Sequence, residues 1–246
     1  MKTVIFIPAR MASQRFPNKP MAIISGTPMI ERVWKQAIKS NIGDVFVACS
    51  ENEVFDHILS KGGKAIMTDP NLPSGTDRVY TAFNSLENKE DYESIINLQG
   101  DMPLIDPSNI ASVNLPLKNG YDIGTIATDI SKEEEKNENI TKVFIDWKKS
   151  DRVGNSINFY KSYLKDKSNI YQHVGIYSFR PNALKKFVSL PPSKNEKHRK
   201  LEQLRALDAG MNIGITYVEN IPISVDTIKD LILIESIIKS NNAKNY

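Results

Sequence analysis

The sequence predicts a three-layer α/β fold with a mainly parallel mixed sheet, and three observations carry that prediction. Short apolar runs alternate with amphipathic segments through the first half of the chain. The runs lack polar alternation, as strands covered on both faces do. Between successive runs lie segments of helical spacing, the crossover elements that parallel neighbours require.

The elements follow in order. "TVIFI" at 3–7 reads as the first strand, and "TPMIERVWKQAIKS" at 27–40 as an amphipathic helix. The strand "DVFVAC", the helix "ENEVFDHILSKGG" and the strand "KAIMT" come next. A helix from about Thr76 to Leu86, the strand "SIINL" at 94–98 and a helix starting near Pro107 extend the alternation. The second half changes character. "DIGTIATDI", "TKVFIDW", "NSINFY" and "QHVGIYSF" are four strand candidates in close succession, which predicts a partly antiparallel extension around 121–180. Between them "SKEEEKNEN", 131–139, reads as an exposed loop or frayed helix. Helices return at about 198–209 and 227–240, after the solvated helix start "KNEKHRK" and the strand-like run "IPISVD". No repeat or linker divides the chain, so residues 1–246 are expected to form one domain.

Composition narrows the function classes. With 32 Lys and Arg against 29 Asp and Glu, spread along the chain, the net charge of +3 argues against a nucleic-acid partner. No run approaches the roughly eighteen apolar residues of a membrane helix, and "MKTVIFIPAR" carries too short an apolar stretch for a secretory signal. A cytoplasmic protein with no membrane partner is expected. The single cysteine, Cys49, rules out an intramolecular disulfide and reads as buried packing rather than a catalytic thiol.

The loop after the first strand, "IPARMASQRFPNKPM" at 7–21, brings Arg10, Arg15 and Lys19 close together. Three cations there repel one another unless something negative sits among them. Open α/β sheets bind ligands beyond the carboxyl ends of their strands, which is where this loop starts. No glycine falls between Ile7 and Gly26, so neither a Walker loop nor a dinucleotide fingerprint is present. Forked guanidiniums and a lysine point charge suit a polyphosphate, with a solvated basic loop as the plainer reading. "INLQGDMP" ends a later strand with Gln99, Gly100 and Asp101, and Asp226 follows "IPISV". Two carboxylates beside a polyphosphate suggest Mg²⁺, which commonly takes one or two carboxylates plus phosphate oxygens. Taken singly, Asp101 also fits a turn residue and Asp226 a helix N-cap. The Asp-x-Asp pair common in glycosyltransferases is absent.

"IPARMASQRFPNKPM", "PSGTDRV", "NLQGDMP", "HVGIYSFR", "KLEQLR" and "ISVDT" resemble, in this order, the motifs of the 3-deoxy-manno-octulosonate cytidylyltransferase (CMP-Kdo synthetase) family, over about residues 3–231. The resemblance implies a nucleotidyltransferase-like fold, a homodimer, CTP and Kdo as substrates, Mg²⁺ as cofactor, and CMP-Kdo and pyrophosphate as products that feed lipopolysaccharide assembly. It also implies roles. Arg10, Arg15 and Lys19 become the triphosphate-binding group, with Lys19 stabilising charge at the reacting phosphate. Asp101 and Asp226 become the metal ligands. Ser74 and Gly75 lie near cytosine with Arg78 close by, while Gln99, His173 and Glu202 contact the sugar acid. Without the resemblance, Ser74 equally reads as a helix cap, His173 as a core histidine and Arg205 as structural. The implied reaction is direct attack of the anomeric 2-hydroxyl on the α-phosphate of CTP.

Three positions depart from the family pattern. Met102 stands where Gln-Gly-Asp-Glu-Pro has its glutamate, and "NKPM" replaces Gly-Lys-Pro-Leu. "NFYKSYL", 158–164, lacks the arginine of Tyr-Phe-Ser-Arg, with Lys161 as the available cation. Hence a cytidylyltransferase for an amino-substituted Kdo or a sialic-acid-like sugar stays open beside Kdo. So does a non-catalytic nucleotide-binding relative.

Overall fold

The structure, a computed structural model, describes residues 1–12, 16–147, 152–163, 168–221 and 223–243. In chain order the elements begin with strands β1 (Thr3–Ala9), β2 (Ile23–Ile24) and β3 (Thr27–Pro28), then helix α1 (Met29–Lys39). There follow β4 (Gly43–Cys49), α2 (Asn52–Ser60), β5 (Lys64–Met67), α3 (Gly75–Asn84), β6 (Ser94–Asn97), α4 (Pro107–Ser112) and α5 (Leu115–Lys118). The remainder comprises β7 (Ile123–Thr128), β8 (Lys142–Trp147), β9 (Val153–Tyr160), β10 (Ile170–Phe179), α6 (Pro181–Ser189), α7 (Lys194–Arg199), α8 (Leu204–Asp208), β11 (Ile213–Tyr217) and α9 (Ile228–Ala243). The chain divides into two compact units, one of Val4–Lys89, Asn97–Pro107 and Pro222–Tyr246, the other of Met1–Thr3, Glu90–Ile96 and Ser108–Ile221.

In the first unit the strands lie in the order β5-β4-β1, with β4 and β5 parallel and Cys49 opposite Met67. Helix α1 turns Met29, Ile30, Val33, Trp34 and Ala37 inward, a stripe at helical spacing. Helix α9 packs through Ile234, with Leu231 and Ile238 beside it, onto Ile24, Met29 and Val225. Cys49 is fully buried, and burial pushes its thiol up to about 12, so it packs and does not react. Glu31 is buried on α1 beside Lys35 Nζ at 2.6 Å and His57 Nε2 at 2.8 Å. Burial raises its pKa, but the hydrogen bonds to Lys35 and His57 and the nearby charges of Lys35 and Lys61 outweigh that and hold it low.

In the second unit the order is β6-β10-β7-β11-β9-β8, and β8 also pairs with β10, so five strands close into a ring. Strands β7 and β11 run parallel, whereas the β7–β10, β8–β10, β8–β9 and β9–β11 ladders are antiparallel. The fold class is therefore α/β with a mixed sheet, and the four strand candidates of the second half become β7 to β10.

Three elements differ from expectation. Strand β11 was not anticipated, because Gly214 breaks its apolar run; the structure needs that glycine, since a Cβ would come within 2.5 Å of Pro116 and 2.7 Å of Tyr121. The helix expected at 198–209 is two short helices, because Lys200 adopts the left-handed conformation (φ 54°) and ends α7. The strand expected over "IPISVD" is a loop at its described residues, tied by Val225 N–H to Asp101 O at 2.9 Å. "KNEKHRK" does begin a solvated helix, closed by a reciprocal Ser193–Glu196 capping box.

Candidate active site

A cavity of about 940 Å³ opens in the first unit where β1 ends, within the size range of small-molecule sites. Its walls come from the residues after β1, the first turn of α3, the loop after β6 and Asp226. Backbone geometry shapes the opening loop. Asn18 sits in the left-handed region (φ 57°) and donates its N–H to Met11 O at 3.1 Å, folding the loop back. Glycine is the easiest residue there and asparagine the next, which explains how "NKPM" replaces Gly-Lys-Pro-Leu. Lys19 then starts a single 3₁₀ turn, Lys19–Met21.

Lys19 is the centre of the arrangement. Its side chain is 15% exposed, and its Nζ donates to Asp101 Oδ2 at 2.9 Å and Asp226 Oδ1 at 3.2 Å. The three residues are 82 and 207 positions apart in sequence. Asp226 is not the helix cap: Thr227 Oγ1 accepts from Asp230 N–H at 3.3 Å, and Asp230 Oδ2 accepts from Thr227 N–H at 2.7 Å. With that reciprocal cap closing α9, the Asp226 carboxylate turns to Lys19. Asp101 is positioned by its neighbour Gly100, where a Cβ would sit 3.2 Å from Pro8 O. Met102 is 3% exposed, an apolar core residue in place of the family's acid.

Two carboxylate oxygens converging on one ammonium form a hard-oxygen donor set suited to a cation. The set fits Mg²⁺ with one or two carboxylates, leaving its other ligands to phosphate and water. Among the described residues no group of three His, Cys, Asp or Glu could hold a metal without such help.

Arg10 is exposed at the cavity wall. Arg15 lies outside the described residues. Ser74 caps α3, accepting from Thr76 N–H and Asp77 N–H at 3.1 Å and donating to Asp77 at 2.7 Å. It and Gly75 also line the cavity, so capping and ligand contact are compatible. A Cβ on Gly75 would reach Pro8 at 3.4 Å, so the protein alone tolerates a side chain there. Gln99 donates to Asn97 Oδ1 at 3.1 Å, and Asn97 to Thr76 Oγ1 at 3.3 Å, which ties the loop after β6 to α3. Sequence reading missed Asn97 and the Thr227–Asp230 cap. Only the capping spacing of the last was a readable signal.

His173 and Glu202 belong to the second unit. His173 is 8% exposed on β10, its Nε2 3.0 Å from Thr125 Oγ1 and its ring edge-on to Phe159 at 5.0 Å. Glu202 lies half-buried between α7 and α8, its Oε1 3.9 Å from Arg205. Leu201 and Leu204 are core, as their spacing suggested. Arg205 is a structural clamp, gripping Glu196 with two hydrogen bonds at 2.9 and 2.6 Å and stacking over Phe187. Lys161 contributes its carbonyl to the buried Lys142 ammonium at 2.6 Å.

Burial pulls the His173 pKa down from 6.5 to about 3, so the folded protein holds it neutral. The unfolded chain takes up that proton below about pH 6.5 and the folded chain does not, so stability falls as pH drops. Urea unfolding at pH 7.5 and pH 5 is expected to show a parental loss about 2 kcal/mol greater than that of His173→Gln. Equal losses would mean that His173 can be protonated in place.

The comparisons with known proteins agree with this geometry. The family model for cytidylyltransferases matches residues 4–213. A 3-deoxy-manno-octulosonate cytidylyltransferase of Paramagnetospirillum magneticum is 42% identical over 240 residues, covering 96% of this chain and 98% of that protein. One of Rickettsia felis is 44% identical over 92% of this chain and 91% of its own length. Among solved structures, a CMP:2-keto-3-deoxy-manno-octonic acid synthetase complexed with CTP superposes with a TM-score of 0.89 at 32% identity, covering 98% of this chain and all of that one. A UDP-glucose pyrophosphorylase, 16% identical with a TM-score of 0.69 over 98% of this chain and 99% of its own, shares the fold. With a family match over residues 4–213 and relatives above 40% identity over nearly its whole length, this chain belongs to the cytidylyltransferase family, among the 3-deoxy-manno-octulosonate cytidylyltransferases.

Proposed function

We propose that this chain is a nucleotidyltransferase that moves CMP from CTP to the anomeric hydroxyl of Kdo and releases pyrophosphate. The observation that carries the reading is Lys19 held between Asp101 and Asp226 in the cavity wall. The anomeric hydroxyl gives up its proton to water as its oxygen attacks the α-phosphorus, the bond to the bridging oxygen breaks, and pyrophosphate leaves with that oxygen. Arg10 and Arg15 take up the triphosphate charge, and Lys19 follows the charge that grows at the reacting phosphate. Asp101 and Asp226 would hold Mg²⁺, which supplies charge neutralisation and a more acidic attacking hydroxyl. Ser74, Gly75 and Arg78 face the nucleotide, and Gln99, in the same cavity wall, meets the sugar acid; His173 and Glu202 are sugar contacts by family resemblance alone. The enzyme works in the cytoplasm as a homodimer, and its product serves lipopolysaccharide assembly.

A pyrophosphate-release assay with CTP, Mg²⁺ and a panel of sugar acids tests the reading. Release dependent on Kdo is expected. Release only with an amino-substituted Kdo or a sialic-acid-like sugar would favour the second reading, motivated by Lys161 in place of the family's arginine. CTP binding without release from any acid would make the chain a binding protein.

CTP is expected to be the preferred nucleotide and UTP its nearest competitor, because a purine needs a larger pocket. Comparing kcat/KM across nucleotides checks this, and equal efficiency with ATP would contradict a pyrimidine-shaped site.

A further inference from the structure

Asn97 ends the buried strand β6 and is only 1% exposed. A side-chain amide so placed costs free energy unless both of its ends are bonded. Both are. Its Nδ2 donates to Thr76 Oγ1 at 3.3 Å, and its Oδ1 accepts from Gln99 Nε2 at 3.1 Å. Thr76 is itself buried, and it is fixed in the first turn of α3 by donating its N–H to Ser74 Oγ at 3.1 Å. The backbone is held as well, since Leu98 donates its N–H to Phe6 O at 2.9 Å and carries the pairing past Asn97. Residues two apart on an extended segment share a face, which sets Asn97 and Gln99 side by side. A chain of hydrogen bonds therefore runs from Ser74 through two buried side chains to Gln99, and the residues at its two ends line the cavity. Gln99 commits one amide hydrogen to Asn97, while its carbonyl oxygen and second N–H take no hydrogen bond among the described residues.

We propose that Asn97 is a positioning residue for the sugar acid Kdo, its buried amide holding that of Gln99 in one orientation so that an acceptor oxygen and a donor N–H are presented to hydroxyl groups of the substrate. A glutamine left untied samples several rotamers, and each must be given up on binding. Tied to Asn97, it has given them up beforehand. A hydroxyl both donates and accepts, so the mixed pair that Gln99 has left matches it. The position calls for an amide, because it must donate to Thr76 and accept from Gln99 at once. The inference rests on the cytidylyltransferase reading above.

The test is a double-mutant cycle of Asn97→Ala and Gln99→Ala, read as KM for Kdo, KM for CTP and kcat. Asn97→Ala is expected to raise KM for Kdo about tenfold while KM for CTP and kcat stay within about twofold. In the Gln99→Ala background the same change adds less than about twofold, because the group it positions is already gone. Asn97→Asp keeps an oxygen for the Gln99 N–H, and the Thr76 hydroxyl can turn to donate to it, so KM for Kdo should stay within about threefold of the parental value. A purely structural role would raise both KM values together and give the full Asn97 effect whether or not Gln99 is present. Either of those outcomes overturns the proposal, as does an aspartate variant as impaired as the alanine one, or a parental KM for Kdo in folded Asn97→Ala or Gln99→Ala. If Asn97→Ala does not fold, Asn97→Ser, whose hydroxyl is too short to reach Gln99, takes its place in the cycle and decides by the same comparison. Should the parental protein bind CTP and Kdo yet release no pyrophosphate, the catalytic reading falls, and calorimetric Kdo affinities through the same cycle decide the role of Asn97. No Kdo binding by the parental protein overturns both.

Discussion

Asp101→Asn and Asp226→Asn each lower turnover by about a hundredfold or more while the fold stays in place. Asparagine preserves shape and removes the charge that makes each residue a ligand for a hard cation. The two side chains are 25% and 43% exposed, so their pairs with Lys19 contribute little to stability, about 1 kcal/mol or less each after solvent screening. Each single variant also leaves Lys19 its other carboxylate. Turnover at limiting Mg²⁺, with thermal unfolding as the control for folding, checks the expectation. Near-parental turnover in either folded variant would remove that residue from the metal site.

Lys19→Ala lowers turnover about a hundredfold and weakens CTP binding much less. Ground-state triphosphate keeps Arg10, Arg15 and Mg²⁺ for neutralisation, so losing one cation among several costs binding modestly. The transition state differs, because charge grows on the α-phosphate and on the departing pyrophosphate. An ammonium held there contributes most when that charge peaks, and about 3 kcal/mol is reasonable for one such contact. Lys19→Arg is expected to rescue poorly, since a planar fork does not fit the small space between two carboxylates as a point charge does. Single-turnover rates beside CTP dissociation constants decide it. Equal losses in rate and affinity would make Lys19 a binding residue.

Much of the site was legible because its residues sit where topology concentrates ligands. Lys19 lies in the segment after β1 and Asp101 in the loop after β6, where α/β sheets gather ligands, whereas Asp226 follows an apolar run that is a loop and is brought in by the bond from Val225 N–H to Asp101 O. What sequence could not settle was which residue caps the last helix. Asp226 and Thr227 both suit the position before α9, and only the Thr227–Asp230 pair assigns the cap to Thr227. Ser74 shows the converse, since its capping role is real and leaves its place in the cavity wall intact. The aromatic neighbourhood of His173 depends on ring closure by β8 and β10, which no local pattern announces. Gly214 hid β11 for a similar reason: the glycine answers Pro116 and Tyr121, distant in sequence, rather than its own strand.

The central claim is that the anomeric oxygen of Kdo becomes bonded to the α-phosphorus of CTP, and phosphorus NMR of the product made from Kdo labelled with carbon-13 at C2 tests it most directly. The account predicts one new phosphodiester signal, split by coupling to C2 and formed in step with pyrophosphate. An unsplit signal, a phosphorus bonded through another hydroxyl, or pyrophosphate released with free CMP as the only nucleotide product would contradict it.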